Sequence, residues 1–255
     1  MKNAAIFSGK ATLYSKYRAS YSGNLIAHLY SVSGIINSNF HIADIGSGTG
    51  MFSKLLLDQN SKVYSVEPNA SMRLLAEKAL SHYDNFVSVN ATGENTLLPQ
   101  SSMNCITVAQ AFHWLDAELF RKECKRIIKP NGKIIIVYNR KRKDAEVNRK
   151  LAKLIMEYYP DYEDIINHWE LRENKITEFF KHKFEFVSYE NNISNNFQAF
   201  IGRTLSHSFS NDNEDFITGL KEFFDDYSTN GTLYVPNDTI AYIGTIEHIN
   251  SVGKE

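Results

Sequence analysis

Asp44-Ile45-Gly46-Ser47-Gly48-Thr49-Gly50 is the stretch from which the rest of this 255-residue chain is read. It follows an apolar run, His41–Ile45, and precedes a helical pattern. Three glycines at alternate positions let a backbone turn tightly and approach a ligand closely. The helix start behind them offers free N–H groups. The pattern D-x-G-x-G-x-G differs from the dinucleotide fingerprint G-x-G-x-x-G, because Met51 stands where the third glycine of that fingerprint belongs. The next apolar run, Lys62–Val66, ends in Glu67. An acid at that strand tip is placed to accept hydrogen bonds from both hydroxyls of a ribose. The plainer alternative is an acid stabilised by the dipole of the following helix. Asp44 is likewise read either as part of a ligand site or as an organiser of the glycine loop.

Outward from this loop, short apolar runs alternate with helical patterns. The runs are His41–Ile45, Lys62–Val66, Phe86–Val89, Met103–Ala109 and Lys133–Tyr138. In Asn69–Leu80 the residues Met72, Leu75, Ala76 and Ala79 share a helix face, and in Asp116–Ile128 so do Phe120, Cys124, Ile127 and Ile128. Asp116 is a suitable N-cap, and Pro130-Asn131-Gly132 ends that helix and turns into the next strand. Such alternation predicts an α/β chain with a Rossmann-like, doubly wound sheet, mostly parallel and covered by helices on both faces. Two later strand-like runs, Lys183–Tyr189 and Thr239–Ile246, bring the expected strands to seven. Further helices are expected over Ser8–Arg18, Asn24–Ile36, Asp144–Tyr159, Phe197–Leu205 and Glu214–Tyr227, with aromatic-rich, less regular sequence after Tyr159. The expected organisation is a single domain over 1–255: N-terminal helices over 1–38, a cofactor-binding core over 39–140, and a C-terminal half over 141–255 carrying a helical substrate cap and the last two strands.

Composition excludes some function classes. The net charge of −1 argues against nucleic acid as a partner, because phosphate binding needs an excess of Lys and Arg. Arg140-Lys141-Arg142-Lys143 is the one basic cluster, and its plain reading is a solvated segment. Cys105 and Cys124 lie in apolar surroundings without metal-ligand spacing. No metal is expected, and two buried thiols suit a reducing, cytoplasmic setting. The N-terminal MKNAAIFSGKATLYSKYR holds no apolar stretch of the roughly 7–15 residues that a secretory signal needs. No run approaches the roughly 18 apolar residues of a membrane span. A monomer or homodimer acting on a small molecule is the expectation.

IADIGSGTG, VYSVEPNASMRLLAEKAL, VAQAFHWLD and ECKRIIKPNGKIIIVYN occur in that order. Together they resemble the class I S-adenosylmethionine-dependent methyltransferases, type 11, and more narrowly the branch that includes trans-aconitate methyltransferase. The resemblance runs through about residues 40–140, and FSGKATLYSKYRASY resembles the lead-in helix of that branch. It implies S-adenosylmethionine as cofactor. It places Asp44, Gly46, Ser47, Gly48 and Gly50 around the methionine and ribose, Glu67 on the ribose, and Pro68 and Met72 beside the adenine. Ala91 and Thr92 meet the adenine edge. Asn90 stands where the family often has an acid that meets the adenine amino group. Gln110, Ala111 and Phe112 would face the sulfonium, with Tyr17 and Arg18 closing over it and Arg18 pairing the methionine carboxylate.

On the acceptor side, His113 is the one plausible general base in these blocks, with an ordinary pKa near 6.5. A carboxylate acceptor is already nucleophilic and needs none. Trp114 or Tyr17 would stabilise the sulfonium through cation–π attraction, and Arg140, Arg142 and Arg203 match the shape of a substrate carboxylate. The remaining histidines lack any constellation and are read as structural. The expected function is methyl transfer to a small molecule with a carboxylate or hydroxyl acceptor. The alternatives are a nicotinamide-dependent oxidoreductase and a non-catalytic S-adenosylmethionine-binding module.

Overall fold

A computed structural model describes residues 16–32, 35–206 and 213–246. Apolar segments that are buried on both faces favour parallel pairing under helices. The strands β1 (His41–Ile45), β2 (Lys62–Val66), β3 (Phe86–Val89), β4 (Met103–Ala109) and β5 (Ile128–Lys141) do pair in parallel. β6 (Phe184–Glu190) and β7 (Asn237–Gly244) complete the sheet, with β7 inserted antiparallel between β5 and β6. The strand order is therefore 3-2-1-4-5-7-6, the seven-stranded, mostly parallel architecture expected from the sequence.

The helices are α1 (Gly23–Ala27), α2 (Met51–Leu57), α3 (Ala70–Leu80), α4 (Ala117–Ile127), α5 (Glu146–Tyr158), α6 (Tyr162–Phe179), α7 (Phe197–Leu205) and α8 (Glu214–Tyr227). Four of them start on a side-chain N-cap. The side chain of Asn69 accepts from the Met72 N–H, that of Asp116 from Glu118 and Leu119, and that of Asn196 from Ala199. One apolar cluster, including Phe112, Phe120 and Phe179, fills one side of the sheet, and another, including Leu25, Phe52 and Leu56, fills the other. A third binds α5, α7 and α8 into the cap through Leu151, Phe200, Phe216 and Leu220.

Four expectations change. Asn24–Ile36 becomes α1 followed by a π-helical turn, His28–Val32, while the expected helix over Ser8–Arg18 lies outside the described residues except for 16–18 and is neither kept nor changed. α6 occupies the segment read as irregular, although Tyr162, Ile165, Ile166, Trp169, Ile176 and Phe179 carry a helical period in the sequence. β5 begins at Ile128 instead of Lys133, with a register shift opposite Met103 and Cys105 and Asn131 in the left-handed region. A two-stranded ladder, Ile193–Asn195 with Leu233–Val235, joins cap segments too short to show alternation. Among the described residues no helix is long and apolar enough to cross a membrane.

Candidate active site

β1 and β4 are neighbours, and the chain winds away from them in opposite directions. In open α/β sheets the crevice outside the carboxyl ends of such strands receives the ligand. A cavity of about 830 Å³ opens there, within the size range of small-molecule sites.

Its floor is built from the glycine loop. Gly46 and Ser47 donate to the Val66 carbonyl at 2.9 and 3.2 Å, which locks the loop onto β2. Asp44 is fully buried, and its two oxygens accept from Thr107 Oγ1 (2.8 Å) and Ser53 Oγ (2.6 Å). It thus braces β1 against β4 and α2. Burial pushes its carboxyl up to about 6 from an ordinary 3.8, against those two hydrogen bonds. A carboxyl that holds its proton more tightly when folded makes stability fall as pH rises from about 4 to 6, and level off above. Asp44→Asn should flatten that slope, and at pH 7 should equal the wild type or exceed it by up to roughly 3 kcal/mol in urea unfolding. A clear loss of stability at pH 7 would show that the charge itself is needed.

Glu67 forms the wall at the tip of β2. Its Oε2 accepts from the Gly48 N–H at 2.9 Å and its Oε1 from the Asn69 N–H at 2.8 Å. Burial raises its pKa, while these two N–H groups oppose the rise. A carboxylate has about four acceptor positions, so two remain for a ligand. Gly48 (φ +59°) has open space where a side chain would stand, and Ser47 Oγ is buried with no hydrogen-bond partner among the described residues. A cradle with spare acceptors, an unmet hydroxyl and room beside the backbone fits the ribose and amino-acid parts of S-adenosylmethionine.

The N-terminal segment lies across the crevice because Asn139 Nδ2 donates to Ser20 O (3.0 Å), and Ser22 N donates to Thr239 Oγ1 (3.0 Å). This brings Arg18 and Tyr21 to the cavity, with the Tyr21 ring 5.0 Å from that of Phe52. Gln110 closes β4 in the left-handed region (φ 58°), held by its N–H to Val137 O at 2.9 Å. Non-glycine residues with positive φ gather at functional sites.

Of the residues singled out in the sequence, Arg18, Asp44, Gly46, Ser47, Gly48, Glu67, Pro68, Met72, Thr92, Gln110, Ala111, His113, Trp114, Arg140, Arg142 and Arg203 line the cavity. Four cofactor candidates stand outside its wall. A Cβ on Gly50 would lie 2.6 Å from Leu80 Cδ1 and 3.1 Å from Ala76 Cβ, so that glycine admits α3. Phe112 is fully buried against Phe179 and Phe120. Ala91 belongs to the same core. Tyr17 packs on Gly202 of α7, and its carbonyl accepts from Arg203 Nε at 2.9 Å. Lining residues absent from the sequence reading include Tyr21, Phe52, Asn148, Trp169, Arg172 and Asn195.

The part of the lining drawn from the end of β5 and the helices after it is cationic. The acids of the lining, Asp44, Glu67 and Glu94, all come from the glycine loop and the ends of β2 and β3. Arg203 has its pKa lowered to about 10 by burial and by Arg18, and its Nη1 is buried without a hydrogen-bond partner among the described residues. Arg140 pairs with Glu173 at 3.4 Å, and Arg142 with Glu190 and Asp238 at 3.4 and 3.6 Å. His113 stands with Nδ1 3.3 Å from the Tyr138 hydroxyl. Desolvation, with Arg172, Lys175 and Arg18 adding to it, drops its pKa to about 3. Among the described residues there is no group of three or more metal-ligating side chains.

Residues 43–136 match the methyltransferase-domain family. A Mycobacterium tuberculosis methyltransferase of uncharacterised role is 27% identical over 149 residues, 58% of each chain. A candidate methyltransferase of Dictyostelium discoideum is 33% identical over 135 residues, 51% of this chain and 47% of that one. The chain thus matches about half the length of these relatives. A solved structure described as a candidate type II methyltransferase from Anaeromyxobacter dehalogenans superposes with a TM-score of 0.64 at 19% identity, covering 89% of this chain and 97% of that one. A candidate methyltransferase of an antibiotic biosynthesis pathway from Anabaena variabilis superposes at 0.60 with 21% identity, covering 88% and 96%. Residues 43–136 thus match a methyltransferase domain, and the chain shares its fold with these solved methyltransferase structures.

Proposed function

We propose that this protein binds S-adenosylmethionine and directs its methyl group to a small acceptor that arrives already nucleophilic, a carboxylate being the best match. The single observation that carries this reading is one continuous cavity with an acidic, glycine-lined half and a cationic half. When bound, the cofactor supplies an activated methyl on a positively charged sulfur. Gly48, Ser47 and Glu67 hold its ribose and amino-acid parts, and Met72 and Pro68 flank its base. Arg18 sits where it can meet the methionine carboxylate. Met51 supports this cofactor over a nicotinamide dinucleotide, because a thioether side chain lines the cavity where the dinucleotide fingerprint has glycine.

Arg203, Arg172 and Arg140 attract and orient an acid, and Trp169 and the N-terminal segment help exclude water. Burial and the nearby Arg172, Lys175 and Arg18 push the His113 pKa down to about 3, which favours an acceptor that has no proton to give up. A carboxylate oxygen that accepts a methyl group has no proton to lose, so the site's chemistry and its acceptor agree. Calorimetry with S-adenosylhomocysteine, expected to give a micromolar Kd, and labelled-methyl transfer to a panel of organic acids test the reading. The pH profile of kcat/KM should show no inflection between pH 5 and 8 that vanishes in His113→Asn. Such an inflection would restore His113 as a general base.

A further inference from the structure

On the cap side of the cavity, two asparagines present acceptor oxygens that nothing in the described chain meets. Asn148, on α5, donates through Nδ2 to Arg142 O (2.8 Å) and Pro236 O (2.7 Å). Asn195, in the short ladder, donates through Nδ2 to Ile193 O (3.1 Å) and Leu233 O (3.3 Å). An amide nitrogen that serves two carbonyls fixes which end is nitrogen and which is oxygen. In both residues Oδ1 is therefore held away from the backbone. Both oxygens are buried without a hydrogen-bond partner among the described residues, with Asn148 6% and Asn195 1% exposed, and both residues line the cavity.

Buried polar atoms are nearly always satisfied, and an orphan beside a ligand cavity is met either by water or by a group of the ligand. The same chamber holds the converse pair, since Trp169 Nε1 and Arg203 Nη1 are buried donors without an acceptor among the described residues. Donors with a cationic surround call for an anion, and two asparagine oxygens call for O–H or N–H groups. We infer that the methyl acceptor is a hydroxylated organic acid, its anionic end met by Arg203 and Trp169 and its hydroxyl groups read by Asn148 and Asn195. This rests on the methyltransferase reading above. The two asparagines act as specificity residues and need not touch the reacting atoms. A site built to bond a hydroxyl rejects the analogue lacking it far more strongly than a site that merely has room for it.

The test uses the full chain saturated with S-adenosylhomocysteine, titrated by calorimetry with matched pairs: malate against succinate, and citrate against tricarballylate. The hydroxylated member of at least one pair should bind tenfold or more tightly. Asn148→Leu or Asn195→Leu should reduce that preference to less than threefold, while the affinity for S-adenosylhomocysteine stays unchanged. Preference below tenfold in both pairs, or no binding of any acid, overturns the inference, and so does a preference that survives both substitutions. The wild-type titrations decide the matter even if a variant does not fold. Failure of S-adenosylhomocysteine to bind at the outset would instead strike the cofactor reading.

Discussion

Glu67→Ala is expected to weaken S-adenosylhomocysteine binding by roughly 1–3 kcal/mol, about fivefold to 150-fold, the range for leaving buried polar partners unsatisfied. The effect has two parts. The spare acceptor positions that face the cavity vanish, and the Gly48 and Asn69 N–H groups lose the oxygens that anchor the loop at 2.9 and 2.8 Å. Glu67→Gln separates them. Its amide oxygen can still accept from one of the two N–H groups, but its NH2 faces the other as a second donor, so an intermediate affinity is expected. Calorimetry on both variants, beside urea unfolding, distinguishes lost ligand contacts from a loosened loop. Unchanged affinity in Glu67→Ala would mean that the carboxylate serves the loop alone.

Phe112→Ala is expected to cost about 3–5 kcal/mol of stability, the usual range for emptying a buried aromatic site. The ring is fully buried, 5.1 Å from the Phe179 ring and 6.3 Å from the Phe120 ring, and Lys175 Nζ lies 5.5 Å from its centre. It fastens the turn carrying Gln110, Ala111, His113 and Trp114 to α4 and α6. Phe112→Leu, which keeps most of the volume, should fold and retain near-wild-type affinity for S-adenosylhomocysteine. Affinity falling in step with ring removal, without a matching loss of stability, would return Phe112 to the cofactor's contacts.

The sheet was legible because its signals are local. A buried parallel strand is a short apolar run, and its end is marked by the residues that turn the chain. His41–Ile45 with its glycine loop, and Lys62–Val66 with Glu67, declared both elements and the side of the sheet on which a ligand would sit. α6 carried a readable period that its interspersed charges obscured. Direction was not legible. Phe112 and His113 are adjacent, yet one enters the core and the other the cavity, and Gly50 serves α3 while Gly48, two residues earlier, leaves room for a ligand.

The sequence alone, through hydrophobic spacing and the backbone demands of the glycine loop, determined the α/β winding and the acidic half of the cavity, since those constraints act over a few residues. The arginines of the cationic half were candidates in the sequence, but the tertiary structure decided that they share one space with the two asparagines. Asn148, Trp169, Asn195 and Arg203 come from four separate elements, and only the packing of the cap beside α6 and the sheet turns them toward one space. Their polar atoms acquire meaning only once water has been displaced around them, and that depends on which surfaces close together.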